Sequence, residues 1–271
     1  SQPGVNPSVI RVIDLASNSI DDQIPFPSNS QALLYPTWSN DSKYLALYQG
    51  NGKLSMLYNI DIKDFALQVK PEGEGNVSPI VFIPNEINRI GFIVNNQLVE
   101  SDINGKNRVI LASNVVHQLP SVGVVEFGKV VEYYTIRPFY TRDGKYIVIY
   151  YQNGDLAVLN RENKEIEILE RGFLNREVEI NIPGGFIIGV NDKNQLIYLA
   201  TKKESDLTVM DGNLRAYSFL DKTSILLPIT NKDIDLQSLT FSPSFDKMVT
   251  QSSWFPGARI GPKIYSGEGK I

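Results

Sequence analysis

The chain carries one histidine, His117, and no cysteine, which sets tight limits on its chemistry. Disulfides, thiolate zinc sites and cysteine nucleophiles are excluded outright. A multi-histidine metal centre needs more than one imidazole. His117 has the right side chain for a general base, but it lies between Val115-Val116 and Leu119-Pro120 with no serine or acidic motif beside it. It therefore reads as a structural or surface residue. No Gly-x-x-x-x-Gly-Lys or Gly-x-Gly-x-x-Gly run is present to cradle a phosphate, and nothing reads Gly-x-Ser-x-Gly. The oxygen-rich stretches Asp102–Asn104 and Asp211-Gly212-Asn213 lack the alternating acids of a calcium loop and read as turns. Neither metal nor cofactor is expected.

Aromatic residues give the stronger candidates, and they point to binding. Trp254-Phe255-Pro256-Gly257-Ala258-Arg259 occupies a loop position where comparable segments have short polar turns. Exposed Trp254 and Phe255 beside Arg259 would suit an interaction hot spot or a sugar-stacking platform. Folded inward, the same loop would plug or cover the structure. Tyr133 and Tyr134, close to Phe139-Tyr140 and Tyr150-Tyr151, form a second cluster in which one member of each adjacent pair should face outward. Two N-glycosylation sequons also occur, Asn40-Asp41-Ser42 and Asn76-Val77-Ser78.

The elements that must position these residues form a repeat. Its clearest copy is Trp38-Ser39-Asn40-Asp41-Ser42-Lys43-Tyr44-Leu45-Ala46-Leu47, and it returns as Tyr140-Thr141-Arg142-Asp143-Gly144-Lys145-Tyr146-Ile147-Val148-Ile149. Weaker copies open at Phe82, Val190 and Phe241. Aligning Leu45, Ile90, Ile147, Ile197 and Val249 gives separations of 45, 57, 50 and 52 residues, the length of a four-stranded propeller blade with its loops. Within a unit, further strands follow polar turns such as Gln152-Asn153-Gly154 before Leu156–Leu159, with outer strands at Arg108–Leu111 and Glu165–Leu169. Helical periodicity is absent. The expectation is one all-β domain over 1–271, a β-propeller of five blades, against a β-sandwich or two small β domains. A sixth blade would have to hide in 115–136, where an inserted hairpin over Gly123–Thr135 fits better. Ile10–Asn18 reads as a strand and turn that joins the C-terminal hairpin Leu239–Val249 and closes the ring, removing open sheet edges. Trp38, Phe82, Tyr140 and Phe241 are expected to pack between neighbouring blades.

The Trp-Ser-x-Asp-x-Lys-Tyr-Leu-Ala pattern of residues 38–46 resembles the repeat of TolB-type and related WD-repeat-like propellers, also found in the propeller domains of prolyl oligopeptidase-type peptidases. Residues 140–149 match nearly as well, and Phe241-Ser242-Pro243 matches the opening. The resemblance implies fold more than function, because such propellers serve many systems as interaction platforms. Five-bladed propellers also include glycoside hydrolases, which set two carboxylates across the site. The expected innermost segments, Leu33–Trp38, Ser78–Ile83, Thr135–Tyr140, Gly185–Val190 and Ser238–Phe241, contain no acid. Glu132 and Glu179 flank two of them.

Apolar residues at 42% and charged residues at 21% suit a globular protein, and a net charge of −4 with scattered lysines and arginines argues against a nucleic-acid partner. No segment is apolar enough to span a bilayer. The first residue is Ser, so the chain is expected to be a mature product whose targeting signal has been removed. The functional expectation is a non-catalytic, protein-binding propeller, extracellular or periplasmic, as a subunit of an envelope or filament assembly. The alternatives are a carbohydrate-binding or glycan-hydrolysing propeller and a cytosolic scaffold.

Overall fold

The computed structural model describes residues 9–17, 19–25, 36–49, 52–116, 137–173, 185–190, 194–201, 212–230, 240–241, 247–250 and 263–266. Every element of regular structure among them is a strand. Contacts divide the chain into two compact units, residues 1–140 and 141–271.

The first unit opens with a hairpin, β1 (Val9–Asp14) and β2 (Ser19–Pro25). Next comes the meander β3 (Thr37–Trp38), β4 (Tyr44–Gln49), β5 (Leu54–Asn59) and β6 (Asp64–Val69). A second meander has β7 (Val81–Phe82), β8 (Arg89–Val94), β9 (Gln97–Asp102) and β10 (Val109–Ser113). The unit ends at β11 (Phe139–Tyr140), the first strand of a sheet that continues with β12 (Tyr146–Tyr150), β13 (Leu156–Asn160) and β14 (Ile166–Glu170). The second unit adds β15 (Gly185–Val190), β16 (Gln195–Thr201), β17 (Gly212–Ser218) and β18 (Thr223–Thr230) as a fourth meander. Its last sheet has three strands, β19 (Thr240–Phe241), β20 (Lys247–Thr250) and β21 (Lys263–Ser266). All neighbours in sequence are neighbours in their sheet.

The repeat has a hydrogen-bonded cause. Ser39 Oγ donates to Asp41 Oδ1 at 2.7 Å and accepts the Tyr44 amide at 2.9 Å, while the Lys43 amide donates to the same carboxylate oxygen. Thr141 Oγ1, Asp143 and the Tyr146 and Lys145 amides reproduce this arrangement. The hydroxyl and the carboxylate thus close the loop between first and second strands by satisfying its backbone donors. At the fifth position of the motif the chain takes positive φ, 60° at Ser42 and 70° at Gly144. A second device sits between third and fourth strands, where Asn59, Asp102 and Asn160 each accept two backbone amides through Oδ1. The two turns are tied together, since Ile60, Ile103 and Arg161 donate their amides to the carbonyls of Lys43, Asn88 and Lys145.

Central strands are buried on both faces: four consecutive residues are inaccessible in β4, β5, β8 and β9. Alternation sends Ala46 and Leu57 into one core with Ile90, Phe92 and Val99 of the next meander. Leu45, Leu47, Met56 and Tyr58 turn the other way and meet Ile24, Ile10 and Val12 of the β1–β2 hairpin. In the second unit an aromatic series takes this role, with Phe173 between Tyr150 and Tyr198 and Tyr146 stacked on Phe219.

Several expectations hold. Ile10–Leu15 forms a strand and the start of a turn, and Thr240-Phe241 pairs antiparallel with Met248-Val249. The third strand beyond that hairpin, indistinct in the sequence, is β21. Among the described residues β1 and β2 pair with each other and with no other strand, so the expected joining to the C-terminal hairpin is not among the described pairings. The hairpin proposed over 123–135 lies outside the described residues. Phe82 packs into the first inter-sheet core and Tyr140 leans on the sheet preceding it. Trp38 departs from the expectation and is 46% exposed. The reason is geometric. Phe82 and Tyr140 each press against the meander before their own, whereas the hairpin before β3 has only two strands. Its apolar side chains reach β4 and β5 and leave β3 uncovered.

The clasp predicts a measurable pH effect. The Ser39 hydroxyl foremost, and the Lys43 amide after it, hold the Asp41 carboxyl below its ordinary value of 3.8 against the opposing effect of burial. A lowered folded-state value means stability present above the unfolded value and lost as pH falls through the folded one. The melting-temperature gap between the native chain and Asp41→Asn should therefore be full at neutral pH and close below about pH 3.8. Thr141→Val, which strips a fully buried hydroxyl from two bonds, should cost about 1–3 kcal/mol in denaturant titration.

Candidate functional site

Buried carboxylates are the natural first place to look for chemistry. Glu100 on β9 is 3% exposed. It pairs across the ladder with Gly91 of β8. Because Gly91 has no side chain, the Tyr140 ring enters above it, and its hydroxyl donates to Glu100 Oε1 at 3.1 Å. A Cβ at residue 91 would overlap that hydroxyl. The other oxygen, Oε2, accepts Arg89 Nη2 at 3.2 Å, and Glu86 lies 3.6 Å from Arg89 Nε. Each carboxylate oxygen of Glu100 thus has a partner, as a buried charge requires. The geometry joins β11 to the sheet of β8 and β9.

The second unit repeats the chemistry with other strands. Glu170 of β14 accepts the Tyr198 hydroxyl at 3.1 Å and lies 3.4 Å from Arg215 Nε, and Tyr198 also meets Ser224 Oγ at 3.1 Å. Burial chiefly pushes the Tyr198 phenol up to about 12, with the Glu170 charge adding to it and Ser224 and Arg215 opposing. Burial also raises Tyr217, with Glu167 contributing. Phenols so suppressed do not supply a phenolate at neutral pH. Both trios read as inter-sheet fasteners. The sequence offered only a weak signal for them, an acid within the strand segments Gln97–Asp102 and Ile166–Glu170, neither of which is an innermost strand. Among the described residues no three His, Asp or Glu side chains gather as a metal site requires.

The exposed surface is different in kind. Large aliphatic residues stand out at the start of outer strands: Val109 and Ile110 on β10 in the first unit, and Ile166 and Ile168 on β14 with Ile225 and Leu226 on β18 in the second. Leu220, in the turn that leads into β18, is 90% exposed. On β10 and β18 adjacent residues are both open, so both faces of the strand are uncovered there. Each outer strand then shifts register: between Leu57 and Tyr58 opposite β6, Ile110 and Ala112 of β10, Leu156 and Ala157 opposite β14, and Asn213 and Arg215 opposite β18. Beyond the shift the chain turns inward, as Val69 and Ala112 become buried and Glu170 reaches Tyr198. These open strand starts, taken in each unit by itself, are the candidate interaction surfaces.

The sequence-derived binding residues Trp254, Phe255, Arg259, Tyr133 and Tyr134 all lie outside the described residues, as do His117, Glu132 and Glu179. Tyr150 is buried against Phe173, and Tyr151 is half-buried with its phenol raised by burial, so that pair follows the expected alternation. The aliphatic outer strands went unnoticed because their residues look like ordinary strand formers.

No protein-family model and no curated protein matches the sequence. Solved structures do. The β-propeller domain of Myceliophteria thermophila Cps50 (Swd1) superposes with a TM-score of 0.54 at 12% identity, over 97% of this chain and 78% of that one. An oligogalacturonate lyase in complex with manganese gives 0.53 at 13% identity, over 93% and 69%. The fold is a β-propeller. The suspected likeness to TolB-type and WD-repeat propellers therefore holds at the level of architecture, and these identities carry nothing finer. No helix among the described residues is long and apolar enough to cross a membrane.

The Gly91–Tyr140–Glu100 fit is testable by a mutant cycle. Tyr140→Phe should lose about 1.5–3 kcal/mol, the range for a hydrogen bond to a charged group. Gly91→Ala should cost at least as much by displacing the ring, and the double variant should be clearly less than additive in chemical denaturation because both changes break one contact.

Proposed function

We propose that this propeller is a non-catalytic protein-interaction module, carried on the cell surface or in the periplasm as a subunit of a larger envelope or filament assembly. The supporting observation is the set of open aliphatic residues in the second unit, above all Ile225 and Leu226 at the start of β18 and Leu220 in the turn before it. Covering such side chains removes apolar area from water at about 25 cal/mol per Å². Aliphatic rather than aromatic exposure favours a protein over a sugar, whose rings are gripped by aromatic faces and convergent polar groups. The loop Trp254–Arg259 and the pair Tyr133-Tyr134 belong to the same proposal as additional contacts.

One observation favours a second reading. Trp38 is open to the extent of nearly half its surface on a first strand, and one structural neighbour is an oligogalacturonate lyase. A carbohydrate ligand stacked on Trp38 is the reading that competes.

The test is capture of a stoichiometric partner from the envelope fraction of the source cells, by crosslinking and quantitative mass spectrometry. Ile225→Lys with Leu226→Lys should abolish capture and leave the melting temperature unchanged, since surface substitutions usually stay within about 0.5 kcal/mol, and Trp254→Ala with Phe255→Ala should separately abolish capture. Capture unaffected by either pair, together with saturable oligosaccharide binding that Trp38→Ala removes, would replace the protein-binding reading with the carbohydrate one.

A further inference from the structure

The two sequons meet different fates in the fold. Asn76 is half-buried and Val77 fully so, in a bridge with Val94. Ser78 has no accessible surface, and its hydroxyl is used twice, donating to the Pro79 carbonyl at 3.0 Å and accepting the Ile93 amide at 2.8 Å. The Asn76 carbonyl takes the Asn95 amide, and its side chain crowds Gly52. In the folded chain the hydroxyl of this sequon is enclosed and its asparagine is half-buried and packed against Gly52, which makes it a poor acceptor.

Asn40 presents the opposite case. It stands at the exposed tip of the first-turn clasp, with Asp41 and Ser42 exposed beside it. The clasp is built from the Ser39 hydroxyl, the Asp41 carboxylate and backbone groups, so the amide of Asn40 takes no part in it. The same position in the other full copy of the motif is Arg142, also exposed, so this point of the turn accepts a long side chain.

We infer that Asn40 is an N-glycosylation site of the folded chain and that Asn76 is not. The donor class is a polyprenyl-phosphate-linked oligosaccharide. The Asn40 amide nitrogen attacks the anomeric carbon, the new N–C bond replaces the C–O bond to phosphate, the lipid phosphate leaves with that electron pair, and the amide proton passes to solvent base. Occupation in the source cell rests on the proposal of export, because the chain must meet a transferase.

The experiment has two arms. In the first, the chain is secreted behind a heterologous leader from a host with a sequon-specific oligosaccharyltransferase, and glycopeptides of the folded product are mapped by mass spectrometry. Asn40 should be occupied and Asn76 bare. Ser42→Gly, which places at this position the residue found at Gly144 and suits its φ of 60°, should remove the glycan while the melting temperature stays the same or rises. A folded product bare at Asn40, or one with sugar at Asn76, overturns the inference. In the second arm the protein is isolated from its source. A bare Asn40 there, with an occupied Asn40 in the first arm, leaves the site standing and overturns the export reading.

Discussion

The central strands of this chain are apolar on both faces, and the rest of the structure follows from that. In an antiparallel sheet with one wet face, burial alternates; β4, β5, β8 and β9 instead bury four residues running. A sheet of that kind must have a neighbour on each side. The β3–β6 meander shows both at once, with Ala46 and Leu57 turned toward the following meander and Leu45, Leu47, Met56 and Tyr58 toward the N-terminal hairpin. The hairpin thus stands where a preceding blade would stand. Its two strands cover the middle of the sheet and not its first strand, which is why Trp38 is open while Phe82 and Tyr140 are enclosed.

Once sheet is pressed on sheet, any polar side chain on a facing surface needs a partner from the opposite sheet. Glu100 finds Tyr140 from the opposite sheet, with Arg89 of its own sheet beside it, and Glu170 finds Tyr198 and Arg215. In each case an arginine about one-third exposed reaches solvent; the Glu100 carboxylate stays inside while Glu170 is itself partly open, and both arrangements lower the cost of holding a charge there. Gly91 belongs to this account as much as the charged residues do, since the phenol reaches Glu100 only through the space that a side chain at 91 would fill. Among the described residues, Glu100 and Glu170 are thereby engaged in holding sheets together.

The architecture was legible because its punctuation is chemical. Ser39-x-Asp41 and Thr141-x-Asp143 recur since each closes the same loop on the same backbone amides, and a spacing near fifty residues follows from strands of fixed length between such loops. Copies lacking the hydroxyl were faint for the same reason: at Ile83–Arg89 backbone bonds from Ile83 to Arg89 and from Glu86 to Ile83 close the turn, with Asn85 at positive φ, and many sequences satisfy that. The tie from Ile60, Ile103 and Arg161 back to the first turn leaves no mark in side-chain type at all. The fasteners were illegible for a different reason. Tyr140 and Glu100 are forty residues apart, and no local pattern says that they meet across a glycine.

The outer strands combine two opposed tendencies. Exposed edges invite another chain to pair, and the register shift in the outer pairing of all four meanders discourages this by breaking the row of free donors and acceptors. Were solubility the only requirement, the strand starts would carry charge, as edge strands commonly do. Three of the four carry open aliphatic residues instead, at Val109-Ile110, Ile166 with Ile168, and Ile225-Leu226, and the fourth, β6, half-covers its apolar residues with Leu67 packed into the core. A shift that blocks backbone pairing while apolar side chains stay open disfavours promiscuous strand addition; on the proposed reading it leaves side-chain contact as the means of recognition. That favours a partner with a surface shaped to fit, in preference to any extended peptide able to add a strand.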